Sequence, residues 1–240
     1  MPENVKTFSR NVKGNDYLCA DIHGHFSVLE AQLERINFDP SKDRLFSLGD
    51  LIDRGDESAD FLTWLDKPWF YAIQGNHERM LINAVRQNTD SFRYQWFAWG
   101  GAWAEDLEDE KLEEYCTALE SLPLAIELQI TDSRRVALAH ASLPKEADWN
   151  QIRLHLRDLP ADKINSDRLA NEILWGRLIA DPESVDRSSI SPVKNIDHVY
   201  HGHTIVNHYT TIGNRTYMDL GSYSTGVIGL LNPVNHLDLL

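Results

Sequence analysis

Five short blocks carry residue types that do chemistry. Asp21-Ile22-His23-Gly24 sets a carboxylate and an imidazole two residues apart, with a glycine that lets the chain turn away. In an extended chain, side chains at i and i+2 lie on one side, so Asp21 and His23 are expected to converge. Gly49-Asp50-Leu51-Ile52-Asp53-Arg54-Gly55 places two carboxylates and a guanidinium in one glycine-flanked loop, and Gly75-Asn76-His77-Glu78 forms a tight turn. Leu138-Ala139-His140 and His201-Gly202-His203-Thr204 add imidazoles. Each block has an ordinary explanation as a helix cap, a surface Asp–Arg pair or a strand histidine. Counted together they supply two aspartates, one asparagine and three histidines as plausible metal ligands, a mixed oxygen and nitrogen set suited to Mn²⁺, Fe or Zn²⁺. One ion cannot use them all. Two ions sharing a carboxylate and a hydroxide can, which is the pattern of two-metal phosphoester hydrolases.

The elements that must position these blocks are legible from apolar periodicity. Residues 17–21, 44–48, 70–74 and 136–139 are short apolar runs, each ending at a cluster of Asp, His, Asn or Gly, and read as buried strands with polar loops at their carboxyl ends. Between them, residues 28–36 (Leu29, Leu33, Ile36) and 79–85 (Met80, Leu81, Ala84) have helix spacing. That alternation implies βαβ units whose ligands sit beyond the strand carboxyl ends. In the second half, 111–119 and 168–175 read as helices, and 126–130 and 136–139 as paired strands. Short strands follow at 197–201, 209–212, 216–220 and 227–231, with turns near Gly213-Asn214 and Pro233. The expected fold is α/β, with a second mixed sheet packed on the first. Residues 181–192, rich in Asp, Ser and Pro, read as an exposed loop. Without a repeat or a linker-like tract, the 240 residues are expected to form a single domain.

Composition narrows the function. With 37 acidic against 23 basic residues the net charge is −14, which argues against nucleic-acid partners. A hydrophobic share of 42% places the chain in the globular class. No apolar run reaches the roughly 18 residues of a membrane span, and residues 1–15 are polar, so a soluble cytoplasmic protein is expected. Cys19 and Cys116 form no C-x-x-C pair and are too few for a disulfide framework. Neither is followed six positions later by arginine, since those residues are His25 and Leu122, which excludes a thiol phosphatase. There is no P-loop, and Leu81 stands where a zincin needs its second histidine.

The five blocks, in this order and at these intervals, resemble the phosphoprotein phosphatase branch of the calcineurin-like metallophosphatases, in particular its small bacterial and phage type. The likeness continues through Lys67-Pro68-Trp69-Phe70, Ile173-Leu174-Trp175-Gly176-Arg177 and Tyr217-Met218-Asp219-Leu220-Gly221, covering most of residues 17–231. It implies two mixed sheets packed as a sandwich between helices, an αββα fold. It implies that Asp21, His23 and Asp50 hold one ion and Asp50, Asn76, His140 and His203 the other, with Mn²⁺ the expected metal. A bridging hydroxide would then attack phosphorus in line. Arg54 and Arg177 would hold the phosphate, His77 would protonate the leaving alkoxide, and Asp53 would orient His77. The implied partners are phosphorylated proteins, bound by a monomer.

Three residues depart from the pattern or lie beside it. Gln74 stands where relatives often carry arginine, which puts the hold on phosphate in question. His201 is an extra imidazole beside His203, and His25 lies near enough to the first block to line a pocket; neither is assigned a role. The stretch from Trp96 to Trp103 reads as core and pocket wall. One rival is a symmetrical dinucleoside tetraphosphatase, which typically lacks the aspartate of Asp-Arg-Gly and ends the third block in Asp; Asp53 and Glu78 favour the protein phosphatase. The other is a phospho-binding scaffold without turnover, which has no need of His77 as an acid.

Overall fold

The computed structural model describes residues 3–178, 186 and 189–240. Its strands are β1 (Val5–Phe8), β2 (Asp16–Cys19), β3 (Arg44–Ser47), β4 (Phe70–Ala72), β5 (Ala125–Gln129), β6 (Arg135–Ala139), β7 (His198–Ile205), β8 (Thr210–Ile212), β9 (Arg215–Asp219) and β10 (Leu230–Leu231). Its α-helices are α1 (Phe26–Arg35), α2 (Phe61–Leu65), α3 (Asn76–Gln87), α4 (Asp90–Ala98), α5 (Asp109–Glu120), α6 (Trp149–Asp158), α7 (Arg168–Trp175), α8 (Ser222–Thr225) and α9 (Pro233–Leu237).

The strands form two sheets, ordered β10-β2-β3-β4 and β1-β5-β6-β7-β9-β8. Strand alternation explains how they pack. Leu18 and Phe46 of the first sheet meet Ile126, Leu128, Val136 and Leu138 of the second in one buried cluster. The alternate residues turn outward: Cys19 and Leu45 pack with Leu29 of α1 and Met80 of α3, while Ala125, Ala137 and Ala139 pack with Ile152 of α6 and Ile173 of α7. Each sheet is therefore sealed by helices on its outer face, as the α/β reading with two mixed sheets expects.

Several details differ from the sequence reading. The amino-terminal segment, read as merely polar, supplies β1, a parallel edge strand on β5 whose Lys6 and Thr7 are exposed. Only Val5 and Phe8 carry its apolar signal, too little for period-2 recognition. Strand β10 leaves the second sheet and pairs antiparallel with β2 in the first. Helices α4 and α6 were not anticipated. The segment expected to be an exposed loop at 181–192 lies partly outside the described residues (181–185, 187 and 188); within its described part Asp186, Ser189, Ser191 and Pro192 are exposed, as expected, and Ile190 is buried.

Strands β2, β3 and β4 are mutually parallel, as are β6, β7 and β9 in the other sheet. The loops that follow β2, β3, β4, β6 and β9 therefore gather with the end of β7 at one rim of the sandwich. Close approach there requires glycine: Gly49 has φ +94, and a Cβ on it would lie 2.6 Å from the Gly75 nitrogen.

Candidate metal centre

Asp50, 2% exposed, occupies the middle of the rim. Its Oδ1 lies 3.4 Å from His140 Nε2, and its Oδ2 lies 3.7 Å from His23 Nε2 and 3.9 Å from His77 Nε2. Burial opposes its charge, but the surrounding imidazoles hold its carboxyl below the usual range. Two groups, His23-Asp50-His77 and Asp50-His140-His203, each bring three donor atoms within 4.8 Å of one another. Asp50 is common to both.

The backbone is strained where these donors sit. His23, Asp50, Asp53, Arg54 and His203 all adopt positive φ between 48° and 73°, at a cost on the order of 1 kcal/mol each for a non-glycine residue. Glu78 at the start of α3 offsets part of that cost. Fully buried, it accepts the N–H of Asp50 and Leu51 at 2.8 Å and of Gly75 at 2.7 Å, tying the second and third blocks together. Burial and then the Asp50 charge push its carboxyl up to about 7, while the three N–H donors pull it down.

Tautomers follow from the backbone contacts. His23 and His140 donate Nδ1–H to the carbonyls of Ile52 (3.0 Å) and Leu48 (2.7 Å), leaving each Nε2 a lone pair directed into the cage. His140 Nε2 lies 2.9 Å from Asn76 Oδ1, and His203 Nδ1 lies 2.8 Å from the same oxygen. With the Asn76 amide in this orientation, a ring lone pair opposes a carbonyl oxygen, a repulsive contact that a shared cation relieves. His203 Nε2 is buried without a hydrogen-bond partner. Burial lowers the pKa of His23, His140 and His203, the last to about 3, so all three are neutral and available as donors at pH 7. The donor chemistry fits divalent cations.

Asp21 does not lie on the strand, which ends at Cys19; it sits in the following loop with His23. The i, i+2 argument therefore does not apply, and convergence comes from the turn at His23 and Gly24. Its carboxylate accepts the backbone N–H of His203 at 3.1 Å. Burial, then Asp219 and Asp50, raise its pKa well above the usual range. Asp219 is 3% exposed, lines the same pocket and is itself pushed up to about 6, first by burial. Reading the blocks singly missed it, although the Met218-Asp219-Leu220-Gly221 run held the signal.

Beside the cage, His77 Nδ1 lies 2.7 Å from Asp53 Oδ2, with both side chains buried. Burial opposes protonation of His77, but Asp50 and then Asp53 raise its pKa overall. Arg54 points Nη1 at His23 Nε2 (2.9 Å) and Nη2 at His77 Nε2 (3.1 Å), and lies 4.2 Å over the Tyr223 ring. Arg177 shares the pocket. Trp99, Trp175 and Tyr223, exposed by 59%, 38% and 41%, form its aromatic mouth.

A calcineurin-like phosphoesterase family profile matches residues 17–207. The chain belongs to that family. It is 31% identical to serine/threonine-protein phosphatase 2 of Salmonella typhimurium over 214 residues, 88% of each chain. It is also 28% identical over 150 residues to a symmetrical bis(5'-nucleosyl)-tetraphosphatase of Serratia proteamaculans, spanning 60% of this chain and 49% of that one. A solved serine/threonine phosphatase from Saccharomyces cerevisiae superposes with a TM-score of 0.62 at 17% identity, covering 91% of this chain and 71% of that one, a likeness of fold. The protein is thus a phosphoester hydrolase of a metal-dependent family.

The phosphoesterase places its unusual residues away from the cage. Gln74 is buried with its amide donating to the Leu122 carbonyl (2.9 Å) and accepting from Arg79; it does not line the metal pocket. His201 is fully buried, donates Nδ1–H to the Ala139 carbonyl (2.8 Å) and stacks on Tyr217. His25 Nδ1–H reaches the His23 carbonyl at 2.6 Å and lies outside the pocket lining. The tryptophan stretch is core and wall as expected, but it also does something spacing could not show. Trp96 and Trp103 both donate indole N–H to Asp53.

Proposed function

We propose that this phosphoesterase is a dinuclear phosphomonoesterase that dephosphorylates phosphoserine and phosphothreonine in proteins. The observation that carries the reading is the buried Asp53–His77 pair opening onto the same pocket as Arg54, Arg177 and the cage. Asp21, His23 and Asp50 would hold one ion and Asp50, Asn76, His140 and His203 the other, Mn²⁺ fitting this mixed oxygen and nitrogen set. Bound there, such ions would supply Lewis-acid chemistry, acidifying a water for attack at neutral pH and offsetting charge on the phosphoryl oxygens.

The chain's own residues do the rest. Arg54 and Arg177 donate to the phosphate oxygens, holding phosphorus in line and matching the charge that grows on them. When phosphate draws Arg54 away, His77 Nε2 is released to carry a proton to the departing alkoxide, with Asp53 fixing the ring by its Nδ1–H. A serine or threonine alkoxide is a poor leaving group, so this proton matters more than it would for an activated ester.

Residues 1–240 would act as one domain, an inference supported by the cluster shared between the two sheets, and that domain would work as a monomer. A cytoplasmic setting fits a chain in which no described helix is long and apolar enough to cross a membrane. The test is turnover by metal-stripped protein reconstituted with Mn²⁺, offered a phosphoserine peptide, a phosphotyrosine peptide and diadenosine tetraphosphate. Phosphate release from the phosphoserine peptide, lost on His77→Asn, supports the reading. Cleavage of the dinucleotide alone moves the protein to the tetraphosphatase reading, and absent turnover with both ions bound points to a phospho-binding scaffold.

A further inference from the structure

Arg79, one turn into α3, is a cation that phosphate chemistry leaves unused. It is 6% exposed and lines an open cleft of about 510 Å³ whose walls share no residue with the metal pocket. Its Nη2 donates to Gln74 Oε1, its Nε is buried without a partner, and its Nη1 makes no hydrogen bond among the described residues. Glu120, an acidic residue of the same wall, favours the Arg79 charge without bonding it, and both its oxygens are taken by Arg86, at 2.9 and 2.7 Å.

A guanidinium keeps its proton at neutral pH, and burial lowers this one only to about 10. A buried cation with free donors calls for an oxyanion, because only a charge-assisted pair repays its lost hydration. The walls narrow the class. Ile164 and Ala161 offer apolar surface, and Lys6 draws negative charge towards the cleft. Glu3 and Glu120 on the same lining oppose a second negative charge. A single negative charge on an apolar body satisfies all of these.

We propose that this cleft binds a small organic monocarboxylate, its carboxylate on Arg79 and its body against Ile164 and Ala161. The ligand would be felt at the metal centre through Gln74, which bonds Arg79 and directly precedes Gly75 and Asn76.

Benzoate serves as the probe, titrated calorimetrically into the Mn²⁺-loaded full chain, with inorganic phosphate in a parallel arm. Benzoate binding should weaken at least tenfold in Arg79→Met and in Ala161→Trp, an exposed position on the cleft wall where a large side chain takes the space of the ligand's body. It should persist in Arg177→Met, which alters the metal pocket instead. The Mn²⁺ concentration for half-maximal turnover should shift at least twofold with saturating benzoate in the wild type and stay fixed in Arg79→Met. Benzoate binding that survives both cleft variants overturns the site. Phosphate binding that falls with Arg79→Met as much as benzoate does overturns the ligand class, and an unmoved Mn²⁺ requirement overturns the coupling.

Discussion

Trp103 donates its indole N–H to Asp53 Oδ1 at 2.7 Å, closer than the 3.0 and 3.1 Å contacts from Trp96. With His77 on the other oxygen, the carboxylate is gripped from two sides and has little freedom to turn. Replacing Trp103 with Phe keeps an aromatic ring but removes one charge-assisted bond, a loss of about 1.5–3 kcal/mol for the carboxylate's anchoring. The expected result is a fall in kcat of about tenfold or more on a phosphoserine peptide, with KM little changed. The fall should be smaller on p-nitrophenyl phosphate, whose leaving group needs little proton assistance. Equal losses on both substrates would count against a role through His77.

Glu78→Gln tests whether the buried carboxylate holds the strained loops. Three N–H groups point at its two oxygens, so an amide must turn a donor towards donors. Denaturant unfolding should show a loss of about 1–3 kcal/mol. Mn²⁺ affinity should fall with it, because Asp50 and Asn76 are positioned by the same contacts.

Asp219→Asn should reshape the pH dependence of the metal-free protein. Asp219 is pushed from 3.8 to about 6 on folding, so the folded state holds its proton more tightly than the unfolded state. Stability from this group is therefore full below about pH 4 and is lost as pH rises through 6, on the order of 3 kcal/mol in all. Urea unfolding at pH 4.5 and 7.5, with chelator present, should show the variant gaining on the wild type at the higher pH. Divalent metal should reverse that ranking at pH 7.5 by neutralising the crowded carboxylates.

The net charge of −14 should select against acidic substrates. At low ionic strength, kcat/KM should be higher for phosphopeptides with basic flanks than with acidic ones, and the gap should shrink at high salt as screening shortens to a few ångströms. A preference for acidic flanks would refute the idea.

The donor residues were legible because each follows an apolar run within a few positions, and short runs report local structure well. Parallel strands then require their carboxyl-end loops to share a rim, which is why the sequence alone marks Asp21, His23, Asp50, Asn76, His77 and His203 as neighbours. The partners that tune them were not legible. Trp103 is 50 residues from Asp53, and Asp219 is far from Asp21; no periodicity links such pairs.

By itself the sequence determined the inventory of the site: which side chains carry oxygen and nitrogen donors, and that they end strands. Only the tertiary structure decided how His203, the histidine that the resemblance selects, comes to face the cage while His201 does not. Alternation would put His201 and His203 on one side of β7. Instead His201 pairs in register with Tyr217 and is sealed against its ring, and the ladder to β9 then slips before Ile205. His203 takes positive φ at that irregularity and lines the metal pocket. A bulge changes the aim of a side chain without changing its neighbours in sequence, and it forms only when the adjacent strand is in place.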